Sequence, residues 1–152
     1  MTNITACLST GKDDWETPDE LFARLDSDFH FILDAAANEL NHKCRRWFGL
    51  SGEVEDALTA QWPLEYGSIW LNPPYSRGLQ AKFVHKAWSE HVRCKMENKP
   101  YGKVVCLLPS RTDTKLFHEV ILPYAKVEFL RGRLRFKGAT SCAPFPSMLA
   151  VF

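Results

Sequence analysis

Residues 68–76 read Ser-Ile-Trp-Leu-Asn-Pro-Pro-Tyr-Ser, and the fold is organised around this stretch. Its apolar start predicts a short buried strand, which two prolines end at once. Proline cannot donate to a sheet ladder and fixes its own φ, and Pro74 keeps Pro73 out of the helical region. The chain must therefore leave the sheet through a rigid bend, called the elbow below (residues 72–75). In open α/β sheets ligands bind at this carboxyl end of the strands.

Upstream of the elbow the sequence predicts one helix and one strand. Thr17, Pro18 and Glu20 have the spacing of a capping box, with Thr17 as the cap and Pro18 as the first helical residue. The apolar residues 29–34 then predict a strand that ends in an acid. Residues 1–12 are small and polar, which predicts a flexible arm outside the domain.

Downstream of the elbow, apolar residues at a spacing of four predict an amphipathic helix over residues 79–95. Residues 103–108 are almost continuously apolar, as in an inner parallel strand. Another helix would be capped by Thr112 or Asp113 and closed by a proline. The other predicted strands cover residues 43–48, 126–130, 133–136 and 147–152. Residues 13–152 are therefore predicted to form one α/β domain with a mostly parallel sheet and an antiparallel carboxyl-terminal strand.

The composition indicates a soluble protein with a strong internal division of charge. The apolar share is 45% and the charged share 24%, and there is neither a long apolar run nor a signal-peptide pattern, so we expect a cytoplasmic protein with no membrane partner. Residues 1–70 carry 13 acidic and 5 basic side chains, whereas residues 71–152 carry 5 acidic and 14 basic ones. A basic half suggests a polyanionic partner, unless the two halves simply neutralise each other on a solvated surface.

The cysteines predict neither disulfides nor a metal site. They are odd in number and widely scattered, at Cys7, Cys44, Cys94, Cys106 and Cys142. No Cys-x-x-Cys pair or zinc-type spacing occurs, so we expect reduced thiols and no metal.

The elbow carries groups that suit chemistry on a flat nitrogen. The exocyclic amine of adenine is a poor nucleophile because its lone pair is delocalised into the ring. The side-chain oxygen of Asn72 and the carbonyl oxygen of Pro73 are two acceptors that could pull this nitrogen toward tetrahedral geometry. Tyr75 offers a ring on which a base extracted from a duplex would stack. The competing interpretation is a proline turn with a turn-forming Asn and a buried Tyr.

The string Asn72-Pro73-Pro74-Tyr75 resembles the catalytic motif of amino-methyltransferases, which methylate exocyclic or amide nitrogens with S-adenosylmethionine. Further segments follow the order of one family in this class: Trp15-Glu16-Thr17-Pro18, Asp34-Ala35-Ala36-Ala37 with Asn41, Asp56-Ala57-Leu58 with Trp62, Leu107-Leu108-Pro109 and Arg131-Gly132-Arg133-Leu134-Arg135-Phe136. Over residues 13–152 the chain is similar to the phage-encoded DNA N6-adenine methyltransferases, often called phage Dam proteins. The resemblance implies a compact Rossmann-like methyltransferase fold, methylation of adenine in DNA, and Asn72, Pro73, Pro74 and Tyr75 as catalytic residues.

The same resemblance implies a site for S-adenosylmethionine. Its residues would be Trp15, Thr17, Pro18, Asp34, Ala35, Ala36, Asn41, Asp56 and Asn72. The Trp15–Pro18 segment would close over the methionine end, Asp34 would take the ammonium group, and Asp56 would accept from the adenine amine. Two features depart from the usual pattern: the loop after the first strand lacks glycine, and no acid ends a second strand. Asn41, Glu53 or Glu55 could hold the ribose in place of the missing acid.

Double-stranded DNA is the implied partner, and the basic half supplies residues to contact its phosphates. The candidates are Arg77, Arg111, Arg131, Arg133 and Arg135, with Lys137 in addition. Alternation along the predicted strand would put the last three arginines and Lys137 on one face, which is also what a merely solvated strand would show. No long insert suggests a separate target-recognition domain. The protein would act as a monomer or homodimer in a bacterial host cell, encoded by a phage or prophage.

Two other functions fit the same residues. The elbow motif suits any planar nitrogen, so the substrate could be a glutamine amide of a protein or an RNA base. The missing glycine loop also allows an inactive nucleic-acid-binding module of the same fold. Cofactor binding separates the inactive module from the enzymes, and methyl transfer to DNA, RNA or protein separates the enzymes from each other.

Overall fold

The computed structural model describes residues 15–152, and within this range five strands form one mixed sheet. The strands are β1 (Phe31–Asp34), β2 (Ser68–Leu71), β3 (Val104–Pro109), β4 (Lys126–Phe129) and β5 (Ser147–Val151). Their order across the sheet is β1-β2-β3-β5-β4. The first three run parallel and β5 is antiparallel to both its neighbours, which confirms the predicted class. The predicted arm at residues 1–12 lies outside the described residues.

Two helices pack on opposite faces of the sheet. On one face, α1 (Asp19–Phe29) packs against Trp70 of β2. On the other face, α2 (Arg77–Met96) packs against Ile69 and Leu71 of the same strand. Successive side chains of a strand point to opposite faces, so β2 contributes to both cores. The predicted helix over 79–95 is confirmed, and it begins directly after the elbow.

The inner position of β3 is also confirmed. All six of its residues are buried. It pairs in parallel with β2 and antiparallel with β5, so both of its edges are hydrogen-bonded. The elbow therefore leaves the sheet next to a strand that is buried along its length and paired on both edges. This strand fixes the surroundings of the elbow on the β3 side.

The start of α1 differs from the predicted capping box. Pro18, at φ −59° and ψ 133°, precedes the helix instead of opening it, and no side chain caps the first turn. Thr17 does not cap because its hydroxyl accepts a hydrogen bond from Asn72 instead. At the other end, His30 adopts a left-handed conformation with φ 53°, so the strand begins at Phe31 and not at Phe29.

The strand predicted over residues 43–48 is wrong, although this segment does run beside β1. The Asp34 N–H donates to the Arg46 carbonyl at 3.0 Å, and the Phe48 N–H donates to the Asp34 carbonyl at 2.9 Å. Only isolated bridges form, between Asp34 and Trp47 and between Phe48 and Val54. Within residues 15–152, these bridges are all that extends the sheet beyond β1.

The chain between β3 and β4 is helical, but its cap was mispredicted. A π-helical segment (Phe117–Ile121) passes into a helical turn (Leu122–Tyr124). The hydroxyl of Thr114 accepts from the Phe117 N–H at 3.2 Å, so Thr114 caps this run in place of Thr112 or Asp113. Pro123 lies in the final turn of this run, and the helix ends just after it, where Ala125 adopts an extended conformation with φ −109° and ψ 149°.

The strand predicted over residues 133–136 is also wrong. Residues 130–146 join β4 to β5 without strand structure. The backbone of this loop bonds elsewhere: the Ala143 N–H donates to the Leu134 carbonyl at 2.8 Å, and the Lys137 N–H donates to the Glu16 carbonyl at 2.9 Å. The antiparallel pairing of β4 with β5 is nevertheless as predicted.

Candidate active site

The elbow lies at the carboxyl edge of the parallel strands, between the ends of β1 and β3. The Ala35 N–H, just past β1, donates to the Trp70 carbonyl in β2 at 2.9 Å. On the other side, the Tyr75 hydroxyl lies 3.1 Å from the Leu107 carbonyl in β3. The end of β2 is thus bonded to the residue after β1, and the elbow itself is bonded to β3. Ligands bind at this edge of open α/β sheets.

The carboxamide of Asn72 is held in one orientation. Its Nδ2 donates to the Trp15 carbonyl oxygen at 2.6 Å and to the Thr17 hydroxyl at 3.1 Å. Both amide hydrogens are therefore used, and Thr17 is only 2% exposed. The structure thus brings the Trp15–Pro18 segment to the elbow, where the sequence predicted that the two would share a site.

Tyr75 is buried beneath this amide. Its side chain is 4% exposed, and its hydroxyl donates to the Asn72 Oδ1 at 2.8 Å or to the Leu107 carbonyl at 3.1 Å, because a phenol has a single proton. Burial raises the pKa of Tyr75, so the phenol is neutral. The expected stacking surface is therefore covered in this arrangement.

An aromatic cluster covers Tyr75. The Tyr75 ring makes edge contacts with Phe136 at 6.2 Å and Phe145 at 5.6 Å, measured between ring centroids. Trp15 lies 5.2 Å from each of these two phenylalanines. Sequence analysis missed Phe145 as a site residue, and the only signal was an aromatic residue between two prolines in a loop.

Asp34 ends β1 as a buried carboxyl. It is 3% exposed; burial raises its pKa to about 6, while main-chain N–H donors oppose the rise. The Lys43 N–H donates to Oδ2 at 3.0 Å and the Ala36 N–H to Oδ1 at 3.3 Å. The carboxylate therefore shapes the loop that follows β1, as a strand-end Asp commonly does.

Burial outweighs the electrostatic effect of His42 and Lys43 on the pKa of Asp34, so nearby charge compensates this carboxylate only weakly. The ammonium group of Lys43 bonds instead to Glu16 at 3.1 Å and Asp19 at 2.7 Å. No side chain within residues 15–152 forms a salt bridge with Asp34. Each carboxylate oxygen accepts a hydrogen bond from one N–H and can accept another. This pair of acceptors fits a small cationic ligand such as the ammonium group of S-adenosylmethionine.

The other predicted cofactor residues mostly organise turns. The Asp56 Oδ1 accepts from the Leu58 N–H at 3.0 Å, and the Asn41 Oδ1 accepts from the Asn38 N–H at 2.8 Å. Among the alternatives for the ribose, Glu53 forms a bidentate ion pair with Arg46 at 2.7 and 2.9 Å, which lowers its pKa. Its carboxylate is therefore already paired with a guanidinium.

The predicted DNA-contacting residues fall into two groups. Arg111 lies two residues after the end of β3 and is exposed. Arg131, Arg133 and Arg135 are exposed on the loop after β4, where the predicted alternation of exposure survives without a strand. The Lys137 ammonium is paired with Asp19 at 3.0 Å, which raises its pKa. Arg77 is the first residue of α2, and its side chain lies outside the described part of the structure.

Three general features complete the site description. Along residues 15–152, no helix is long and apolar enough to cross a membrane. In the same range, no three His, Cys, Asp or Glu side chains are grouped so that they could hold a metal ion. The four cysteines of this part of the chain are free thiols, and Cys7 lies outside it.

Comparison with known proteins points to one family. The model of a family described as DNA N-6-adenine-methyltransferase (Dam) matches residues 5–147. The chain is 32% identical over 124 residues to a DNA N-6-adenine-methyltransferase of Escherichia phage T1, covering 81% of this chain and 47% of that protein. It is 38% identical over 108 residues to a DNA N-6-adenine-methyltransferase of Haemophilus phage HP1 (strain HP1c1), covering 70% of this chain and 55% of the relative. The chain therefore spans about half the length of these relatives.

Proposed function

The chain belongs to the DNA N-6-adenine-methyltransferase family, and from this premise we propose that it transfers a methyl group to the N6 amino group of adenine in DNA. The observation that carries the proposal is the fixed carboxamide of Asn72 at the end of β2. A carboxamide that is held by both of its N–H groups presents its oxygen in one direction. Such a pre-aimed dipole is what alignment of a flat amine requires.

The proposed chemistry needs no ionised base. The Asn72 Oδ1 and the Pro73 carbonyl oxygen would accept the two hydrogens of the amine, so that its lone pair points away from the ring plane. As the nitrogen gains the methyl group, the sulfonium donor would depart as a neutral thioether. One amine proton becomes acidic only then and would pass from these acceptors to water. Positioning and electrostatic alignment supply most of the rate in a reaction of this kind.

Tyr75 would have two roles in this proposal. When an adenine amine reaches the Asn72 Oδ1, the Tyr75 hydroxyl proton would turn to the Leu107 carbonyl, which lies 3.1 Å away. The acceptor capacity of Oδ1 is then free for the amine. A base could stack on the Tyr75 ring once Phe136 or Phe145 moves aside.

S-adenosylmethionine is the proposed donor, and when bound it supplies an electrophilic methyl group on a sulfonium. Asp34 would hold its ammonium group and the Trp15–Pro18 segment its methionine end. Ala35 and Ala36 would let the backbone approach the ligand. Asp56 would accept from its adenine amine, and Asn41 or Glu55 would serve the ribose.

The proposed fold is that of Rossmann-like methyltransferases. Three parallel strands, the helical crossover from β2 to β3 and the antiparallel β5 support this assignment. A larger sheet would continue beside β1 with another strand, where the described chain has a short segment with isolated bridges. This accounts for the absence of the acid that would end a second strand.

Methyl transfer from labelled S-adenosylmethionine to duplex DNA, RNA and protein substrates tests this function. We expect label in DNA alone. Label in RNA or in a glutamine-containing protein would support the alternative substrates instead. A protein that neither binds the cofactor in calorimetry nor transfers label to any of the three would be the inactive nucleic-acid-binding module.

A further inference from the structure

A cleft of about 700 Å³ lies between the first turns of α2 and the segment after β3. Four of the side chains that line it carry the argument: Gln80, Arg111, Asp113 and Lys115. The cleft begins one helical turn from the elbow, since the Gln80 N–H donates to the Ser76 carbonyl at 3.0 Å. A ligand in this cleft would therefore be a close neighbour of a base held at Asn72.

Gln80 indicates what kind of ligand the cleft lacks. Gln80 is only 8% exposed, and within the described residues its Nε2 is closed to solvent and has no hydrogen-bond partner. A buried amide nitrogen without an acceptor is costly, so rotation of this side chain toward a ligand that brings acceptor oxygens would be favoured. The first turn of α2, which contains no acidic residue, adds the positive end of a long helix.

Arg111 and Lys115 give the cleft its charge. The main chain of Arg111 is held on both sides, since its N–H donates to the Pro109 carbonyl at 2.8 Å and its carbonyl accepts from the Thr114 hydroxyl at 2.9 Å. Both cationic side chains are exposed, and Asp113 is the one carboxylate among the lining residues. The donors thus outweigh the single acid, and the cleft suits an anion.

The positive surface continues along α2. A second groove shares Ala81 with the cleft and is lined by Lys82, His85 and Lys86. The Lys86 ammonium is paired with Glu90 at 2.6 Å, so the exposed Lys82 is the cation that this groove adds beside the anion site, where a neighbouring backbone phosphate would lie. None of the residues that line the cleft is among the proposed cofactor residues, so the cleft is separate from the proposed cofactor site.

We propose that this cleft binds a backbone phosphate of the DNA strand that carries the target adenine. The inference rests on the proposed function and assigns to it a phosphate site with Arg111, Lys115 and the Gln80 Nε2 as donors. These contacts would hold the backbone beside the elbow while the base occupies the site at Asn72.

Fluorescence anisotropy with a short labelled DNA duplex, at salt concentrations from about 50 to 200 mM, tests the proposal. Arg111→Ala and Lys115→Ala should each reduce the slope of log affinity against log salt by about 0.9, and should weaken binding equally for unrelated duplex sequences. Gln80→Leu should weaken binding with an unchanged slope, because the amide is neutral. Asp113→Asn should tighten binding, and Arg24→Ala, an exposed control on α1, should match the wild type.

The same duplex, assayed for methyl transfer, distinguishes the two proposals. If the wild type binds and methylates the duplex while Arg111→Ala and Lys115→Ala keep its slope and affinity, the phosphate site is wrong and the function stands. If the wild type methylates no DNA, the proposed function is wrong and the phosphate site falls with it.

Discussion

The two sides of the elbow differ in charge and in burial. Toward β1 lies Asp34, a buried carboxyl with a raised pKa and no salt bridge within residues 15–152. Toward β3 and α2 lie Arg111 and Lys115, which are cationic and exposed. The side toward β1 suits a small cation that can be enclosed. The side toward β3 and α2 suits a large polyanion, which cannot be enclosed. The bend between them is where the proposed donor and the proposed acceptor would meet.

The largest effect is expected at the residue that both sides share. Asn72→Ala removes the oriented acceptor and should slow methyl transfer by at least 10²–10³-fold, the usual loss for one pre-aimed group. Cofactor and DNA binding should change little, because the two flanking sites remain. Single-turnover transfer with both ligands saturating measures this directly. A variant that keeps most of the wild-type rate would show that the acceptor pair is misassigned.

The acidic side is tested by Asp34→Asn, which should weaken S-adenosylmethionine binding by about 1.5–3 kcal/mol, as expected for a hydrogen bond to a charged group. The binding form of Asp34 is ionised and its pKa in the free protein is about 6. The wild-type dissociation constant should therefore rise as the pH falls below about 6, by up to tenfold per unit. Calorimetry over this pH range is the measurement.

Asp34→Asn should show no such pH dependence, and its DNA affinity should equal that of the wild type. If cofactor binding is the same for both proteins at every pH, Asp34 only shapes the loop after β1.

Tyr75 tests whether the aromatic cluster opens to a base. Tyr75→Ala should weaken productive base binding by about 1–3 kcal/mol, the scale of one stacked base, whereas Tyr75→Phe keeps the ring and should stay near the wild type. Rates at low DNA concentration compare the two variants, with near-ultraviolet circular dichroism as a check that the buried site still folds. Equal rates for the two variants would argue against stacking.

The smallest expected effect concerns the hydroxyl that holds Asn72. Thr17→Val removes one hydrogen bond to Nδ2 and should lower the rate of methyl transfer by the equivalent of about 0.5–1.5 kcal/mol. Thr17→Ser retains the hydroxyl and should restore the rate. A merely structural Thr17 would instead change the unfolding midpoint and leave the rate of the folded enzyme unaltered.

The elbow and the elements around it were predictable because their signals are local. A short apolar run followed by two prolines defines β2, and apolar residues that recur every four positions define α2. The Asp at the end of β1 could likewise be placed at the carboxyl edge from its position in the sequence. Each of these follows from neighbouring residues alone.

Two of the failures involve contacts between distant parts of the sequence. Thr17 looks like a helix cap, but its hydroxyl is used by Asn72, 55 positions away. Residues 133–136 look like a strand, but the backbone of their loop bonds within the loop and to Glu16. The predicted alternation of exposed and less exposed side chains is therefore correct over residues 133–136, but within residues 15–152 no strand pairs with this segment. Phe145 escaped notice because a single aromatic residue in a loop has no periodicity to reveal it.

The most direct test is the identity of the methylated nucleoside after duplex DNA is incubated with S-adenosylmethionine and the protein. Mass spectrometry of the digested duplex should find N6-methyldeoxyadenosine with the wild type and none above background with Asn72→Ala. Methylated cytosine, or equal yields from the two proteins, would contradict the account.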